Sequence, residues 1–207
     1  MRRARNMDRR TFLGASAAAM AATPALAEKL SLDAISAYLN EIVTGSSDFT
    51  QVNDDGSLST GQFFIKRPGR VRFEYSPPEK LLVIAGAGQV GIFDGKSNLG
   101  RAERYPLRRT PLNLILEENV NLARRNMVVG HDFDGTATVV TAQDPEHPEY
   151  GNIQLKFTTG PVELRQWVVR DGQGATTTVI LGPLTRGQDL PPSMFSITQE
   201  EERRGSR

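Results

Sequence analysis

Apolar residues follow two periods along this chain of 207 residues. Leu30, Ile35, Leu39 and Ile42 recur near every 3.6 residues, with Ser31 and Asp33 placed for a helix N-terminus. They predict an amphipathic helix over 28–43, ended by Gly45-Ser46-Ser47. The pattern then switches to period two. Phe49 and Gln51 open a short strand, and Asn53-Asp54-Asp55-Gly56 is a strong turn. A second strand covers 61–66 and breaks at Lys66-Arg67-Pro68-Gly69. Over 70–75 the alternation is clean, with Val71, Phe73 and Tyr75 on one face and Arg70, Arg72 and Glu74 on the other. Pro77-Pro78 separates this strand from an apolar run at 81–85; 89–93 follows, then the turn Asp94-Gly95, then a fainter strand at 101–105.

Residues 111–126 interrupt the sheet pattern. Thr110 is placed to cap a helix, Pro111 suits a first turn, and Leu112, Ile115, Leu116 and Leu122 give an apolar stripe. Further strands are expected at 127–133, 136–143, 152–158, 164–170 and 176–181, and a last one at 194–197. Residues 200–207 read as a charged, frayed tail. The sum is a mainly β chain: one long antiparallel sheet, an N-terminal helix and a helical excursion in the middle. Hairpin-connected strands in this number curl into a barrel or half-barrel. The helices then cover an open side, because their apolar stripes need burial.

The first 27 residues have a different composition. A basic stretch over 1–10 precedes an apolar run over 11–22, and Ala25-Leu26-Ala27 is a small-x-small site. This predicts a secretory signal cleaved before Glu28, and hence a periplasmic protein. Arg9-Arg10-Thr11-Phe12-Leu13 has twin-arginine character, but Gly14 stands where that pattern prefers Lys, so the export route is open between the twin-arginine and general secretory pathways. Without 1–27 the chain holds 20 basic and 23 acidic residues, net −3. That balance gives no basic face for nucleic acid. There is no cysteine, so packing alone must hold the fold in an oxidising compartment.

Several motifs suggest chemistry and fail on context. Gly86-Ala87-Gly88-Gln89-Val90-Gly91 matches the dinucleotide pattern GxGxxG, but Asp94-Gly95 turns the chain before a helix can form, so a hairpin is expected. Gly95-Lys96-Ser97 resembles the end of a P-loop, with Val90 where the first glycine belongs. His131 and His147 lack partners at metal-ligand spacing. Asp132 and Asp134 read as a solvated turn. No catalytic set, cofactor site or metal site is expected.

The informative segment is Gly61-Gln62-Phe63-Phe64-Ile65-Lys66-Arg67-Pro68-Gly69-Arg70-Val71-Arg72-Phe73-Glu74-Tyr75. It resembles the signature of the LolA family, the periplasmic carriers of outer-membrane lipoproteins, with Phe64 where the family usually has Trp. Phe49-Thr50-Gln51, Phe93-Asp94, Thr110 to Leu116 and Met194 to Ile197 resemble other family segments in the same order. The resemblance spans 28–199 and implies an unclosed β half-barrel with a helical lid over an apolar cavity. It implies a monomer that takes acylated lipoproteins from the inner-membrane Lol ABC exporter and hands them to an outer-membrane acceptor.

Candidate cavity residues are Phe49, Phe63, Ile65, Val71, Phe73 and Tyr75, with Leu82, Ile84, Val90 and Ile92 from the next hairpin. Leu112, Ile115 and Leu116 are expected in the lid. Alternation alone does not separate a filled core from a fillable cavity. Arg67 shares a face with Phe63 and Ile65; the resemblance implies that it bonds to lid carbonyls and holds the lid shut. Two other readings stay open: a fold relative that binds another amphiphile or senses envelope state, and a nucleotide-dependent oxidoreductase built on 86–91.

Overall fold

The computed structural model describes residues 28–95, 100–123 and 126–205. The expected signal at 1–27 lies outside them. Helix α1 (Leu32–Glu41) opens the described chain, with the Ser31 hydroxyl accepting from the Ala34 amide at 3.1 Å. Twelve strands follow: β1 (Thr44–Val52), β2 (Leu58–Lys66), β3 (Arg70–Tyr75), β4 (Leu82–Gly86), β5 (Gln89–Phe93), β6 (Glu103–Pro106), β7 (Val128–Phe133), β8 (Ala137–Gln143), β9 (Asn152–Thr158), β10 (Glu163–Arg170), β11 (Thr176–Leu181) and the two-residue β12 (Thr185–Arg186).

They form one antiparallel sheet in the order β6-β5-β4-β3-β2-β1-β11-β10-β9-β8-β7, with β12 against β1. The sheet is not closed: its edges are β6 and β7. Those two strands are neighbours in sequence, so residues 107–127 must travel from one edge to the other. This topology lays the crossing segment over the concave face. Among its described residues a 3-10 turn at Leu107–Arg109 precedes a single α-helical turn, Asn113–Leu116 (α2), where the apolar stripe predicts a helix over 111–126. The Thr110 hydroxyl donates back to the Leu107 carbonyl at 2.8 Å instead of capping that helix.

Two apolar clusters occupy opposite faces of the sheet. The larger lies on the concave side, with α1 and the crossing segment packed into it. The smaller holds Leu82, Ile84 and Phe93 against Leu190, Phe195 and Ile197. The 194–197 strand expected from the sequence is instead a 3-10 turn (Pro192–Phe195) that runs into helix α3 (Ile197–Gly205). The expected frayed tail is therefore largely helix. Glu200 is only 6% exposed, with Arg203 at 2.5 Å and Arg204 at 2.7 Å on one of its carboxylate oxygens and Arg72 at 3.8 Å from the other.

The glycines of 86–91 serve the sheet. Ala87 and Gly88 take φ of 50° and 74°, the two left-handed positions of a two-residue hairpin turn, with Gly86 paired to Gln89. A side chain on Gly86 would run into the Phe195 carbonyl, and one on Gly91 would sit 2.9 Å from Ile197 Cγ2. These two positions let the C-terminal segment lie directly on the sheet.

Candidate functional site

Register decides which side chains meet on the concave face. Phe63 opposes Phe73, Ile65 opposes Val71, and Phe49 opposes Gly61. Phe49, Phe63, Ile65, Val71, Phe73 and Val90 are buried there, and Tyr75 and Ile92 are half-buried against them. The rings form a chain of contacts: Tyr75–Phe49 5.1 Å, Phe49–Phe73 5.4 Å, Phe73–Phe63 5.0 Å and Phe63–Trp167 5.5 Å between centroids. Trp167 brings in the other half of the sheet, where Leu155, Phe157 and Val179 continue the apolar surface.

Leu82 and Ile84 are not part of this set. In β4 they point to the opposite face, under the C-terminal segment, and Val83 and Ala85 take the concave positions. The pairing of Ala85 with Val90 and of Ile84 with Gly91 requires this. Facing residues of a pair share a side, so Val90 and Ile92 go with Ala85 and Val83.

Leu114, Ile115, Leu116, Val120 and Leu122 of the crossing segment close the open side, each 8% exposed or less, with Leu112 partly buried beside them. Ile35, Tyr38 and Leu39 of α1, with Ile42 just after it, complete the cover. A cavity of about 20 Å³ remains between α1, β2, Ile115 and Trp167. That is room for about one water. The interior is filled by its own side chains, so a larger guest requires the cover to move.

Arg67 sits where the two covers meet. It lies just past β2, is 8% exposed, and donates to the carbonyls of Leu39 and Glu117, to Asn40 Oδ1 at 3.1 Å and to the Glu118 carbonyl at 3.4 Å. Its Nε has no partner among the described residues. Burial lowers its pKa, and the charge of Glu117 opposes that shift. A guanidinium stays charged regardless. One side chain thus joins the sheet, the C-terminal end of α1 and the segment after α2.

The far end of the concave face is polar. Tyr75 Oη donates to Gln51 Oε1 at 2.6 Å, Gln51 donates to Asn53 Oδ1, Asn53 bonds Ser59, and Ser59 donates to Glu79 at 2.6 Å. Burial, helped by the charge of Glu79, pushes the Tyr75 pKa up to about 12.

A family model described as "Outer membrane lipoprotein carrier protein LolA" matches residues 40–198. The chain belongs to the LolA family. An outer-membrane lipoprotein carrier protein of Methylococcus capsulatus is 32% identical over 176 residues, 79% of this chain and 81% of its own length. The one from Azotobacter vinelandii is 25% identical over 194 residues, 90% and 92% respectively. A domain from Vibrio parahaemolyticus assigned to outer-membrane lipoprotein sorting shares the fold at a TM-score of 0.51 and 10% identity, covering 84% of this chain and 98% of that one.

In this member of the LolA family the two histidines make local contacts. His131 Nε2 faces the Leu30 carbonyl at 2.8 Å; a carbonyl only accepts, so that nitrogen carries the proton. His147 stacks on Tyr150 at 4.7 Å. Asp134 caps the β7–β8 turn and pairs with Lys156 at 2.6 Å, which holds its carboxyl far below the usual range. Among the described residues, no three His, Cys, Asp or Glu side chains gather as a metal site, and no helix is long and apolar enough to cross a membrane. The sequence reading did not name Val83, Ala85 or Trp167 for the interior, nor Asn40 for the cover.

Proposed function

We propose that the chain is a periplasmic, non-enzymatic lipoprotein carrier that buries the acyl chains of its cargo against the concave face. The observation that carries this reading is a continuous apolar interior whose two covering segments meet at a buried arginine next to β2, which bonds their backbone carbonyls. Such ties break without rebuilding the fold.

Magnitudes support an opening driven by cargo. Exposing a buried apolar side chain costs about 1.5–3 kcal/mol, so lifting the five buried lid residues costs on the order of 10 kcal/mol. Transfer of three long acyl chains out of water is worth on the order of 30 kcal/mol at about 0.8 per methylene. Cargo burial exceeds the cost of opening, while the empty protein stays closed. In this reading Phe49, Phe63, Ile65, Val71, Phe73, Tyr75, Val90 and Ile92 meet the chains, Leu112, Ile115 and Leu116 form the lid, and Arg67 latches it. Cargo comes from the inner-membrane Lol ABC exporter and goes to an outer-membrane acceptor, with the carrier a monomer.

The test is a photocrosslinker at position 73 in living cells. Capture of acylated lipoproteins supports the reading. Capture of free lipid alone identifies a different amphiphile-binding module, and capture of neither overturns both.

A further inference from the structure

The lid is held at a second place, away from the sheet. Beyond α2 the chain runs past α1, and its backbone groups bond to α1 side chains. Asn40 Nδ2 donates to the Val120 carbonyl at 2.9 Å, and Asn40 Oδ1 accepts from the Val120 amide at 2.9 Å. The Leu122 amide donates to Ser36 Oγ at 3.0 Å, and that hydroxyl donates on to the Leu32 carbonyl at 2.7 Å. Ser36 and Asn40 are four apart on one helix face, about 6 Å at 1.5 Å rise per residue. Val120 and Leu122 are two apart, about 6.6 Å in extended chain. The two spacings match, so α1 reads the lid's tail as a neighbouring strand would.

We propose that Asn40 and Ser36 are a second catch, which holds the lid's tail on α1 and acts together with Arg67. α1 is a fixed post for this purpose. Tyr38 Oη accepts from the Leu164 amide at 3.0 Å, and the Leu30 amide donates to Thr138 Oγ1 at 2.8 Å, both on the sheet. Arg67 and the Val120 amide share one acceptor, Asn40 Oδ1, so the two catches are coupled. Opening the lid requires release at both, and of the Gly69 amide from the Leu116 carbonyl at 2.8 Å. Asn40 is a positioning residue: it lies at the rim, exposed to solvent, where it makes no part of the apolar wall.

This inference rests on the carrier reading for its purpose, but its test needs no cargo. Amide exchange is measured by NMR on the purified, lipid-free protein. In Asn40→Ala the Val120 and Leu122 amides exchange about tenfold faster, and in Ser36→Ala Leu122 does, while Leu155 and Phe157 in the sheet are unchanged. Asn40→Asp keeps the acceptor for the Val120 amide and for Arg67, and restores part of the Val120 protection. Unchanged exchange at Val120 and Leu122, or acceleration spread equally over the sheet, overturns the catch. Uptake of a dansylated palmitate is read separately and is expected to quicken several-fold in Asn40→Ala. Localised acceleration with no probe uptake by either protein leaves the catch standing and overturns the carrier reading instead.

Discussion

Replacing Arg67 with Leu removes every hydrogen bond between its guanidinium and the cover. Two carbonyl partners, Leu39 and Glu117, lose a charged donor outright, and Asn40 loses one at 3.1 Å. The Glu118 contact at 3.4 Å adds little. Hydrogen bonds to a charged group are worth about 1.5–3 kcal/mol each, a gross loss of roughly 3–6 kcal/mol for the two carbonyl bonds. Leu offsets part of this, since no charge is then buried and an apolar side chain fills the space. Of the two carbonyl bonds only the one to Glu117 reaches the lid, since Leu39 belongs to α1, so the net shift toward an open lid is about 1.5 kcal/mol, on the order of tenfold in the opening equilibrium. Stopped-flow uptake of a fluorescent acyl probe and amide exchange over 117–122 both read it. The variant should load faster, protect those amides less, and transfer lipoprotein to an acceptor poorly, because the closed form no longer competes with bound cargo. Arg67→Lys should fall between, because an ammonium cannot fork across separated carbonyls. Wild-type exchange together with unchanged transfer in Arg67→Leu would refute the latch.

Other outcomes follow from the same geometry. Phe63→Ala removes a 3%-exposed ring that touches both Phe73 and Trp167, and should cost about 3–5 kcal/mol in urea unfolding; a loss under 1 kcal/mol would mean the interior collapses readily. Gly86→Ala should undock the C-terminal segment, seen as rapid trypsin cleavage at Arg203 and Arg204 while the sheet resists; equal protease resistance in the variant would deny that close approach a role. Tyr75 is neutral in the folded protein up to about pH 12 but ionises near 10 when unfolded, so the folded state binds the extra proton between those values. Its contribution, about 3 kcal/mol, is complete below pH 10 and lost as pH rises through 12. Tyr75→Phe should flatten that part of the stability–pH curve, and an unaltered slope would contradict the assignment.

The sheet was legible because turn chemistry and alternation agree along most of the chain. Val71, Phe73 and Tyr75 alternate with charged residues, and their face is the concave one. The run at 81–85 does not alternate, so parity could not be read within it. It was readable from the hairpin: a two-residue turn at Ala87-Gly88 forces Ala85 opposite Val90 and turns Leu82 and Ile84 away. Met194-Phe195-Ser196-Ile197 has strand alternation, yet the segment follows Pro191-Pro192 as a 3-10 turn and buries Phe195 and Ile197 on the convex side. Glu200 reads as part of a charged tail because, besides its neighbours Arg203 and Arg204, it faces Arg72, 128 positions away in sequence. The lid's helix was over-read for a related reason. Beyond Leu116 its backbone is satisfied by Arg67, Asn40 and Ser36, and local pattern carries no trace of those contacts.

Trp167 is the only tryptophan in the sequence and lies 3% exposed on the concave face, touching Phe63 and Phe73. A triacylated lipopeptide with bromines along its acyl chains quenches tryptophan only on contact. Adding it to the purified protein should quench Trp167 strongly, while the non-brominated form should not, and locking the lid to α1 with a disulfide should abolish the effect until reduction. A lipopeptide that binds with Trp167 fluorescence unchanged, or quenching that persists with the lid locked, would show that acyl chains do not enter the half-barrel.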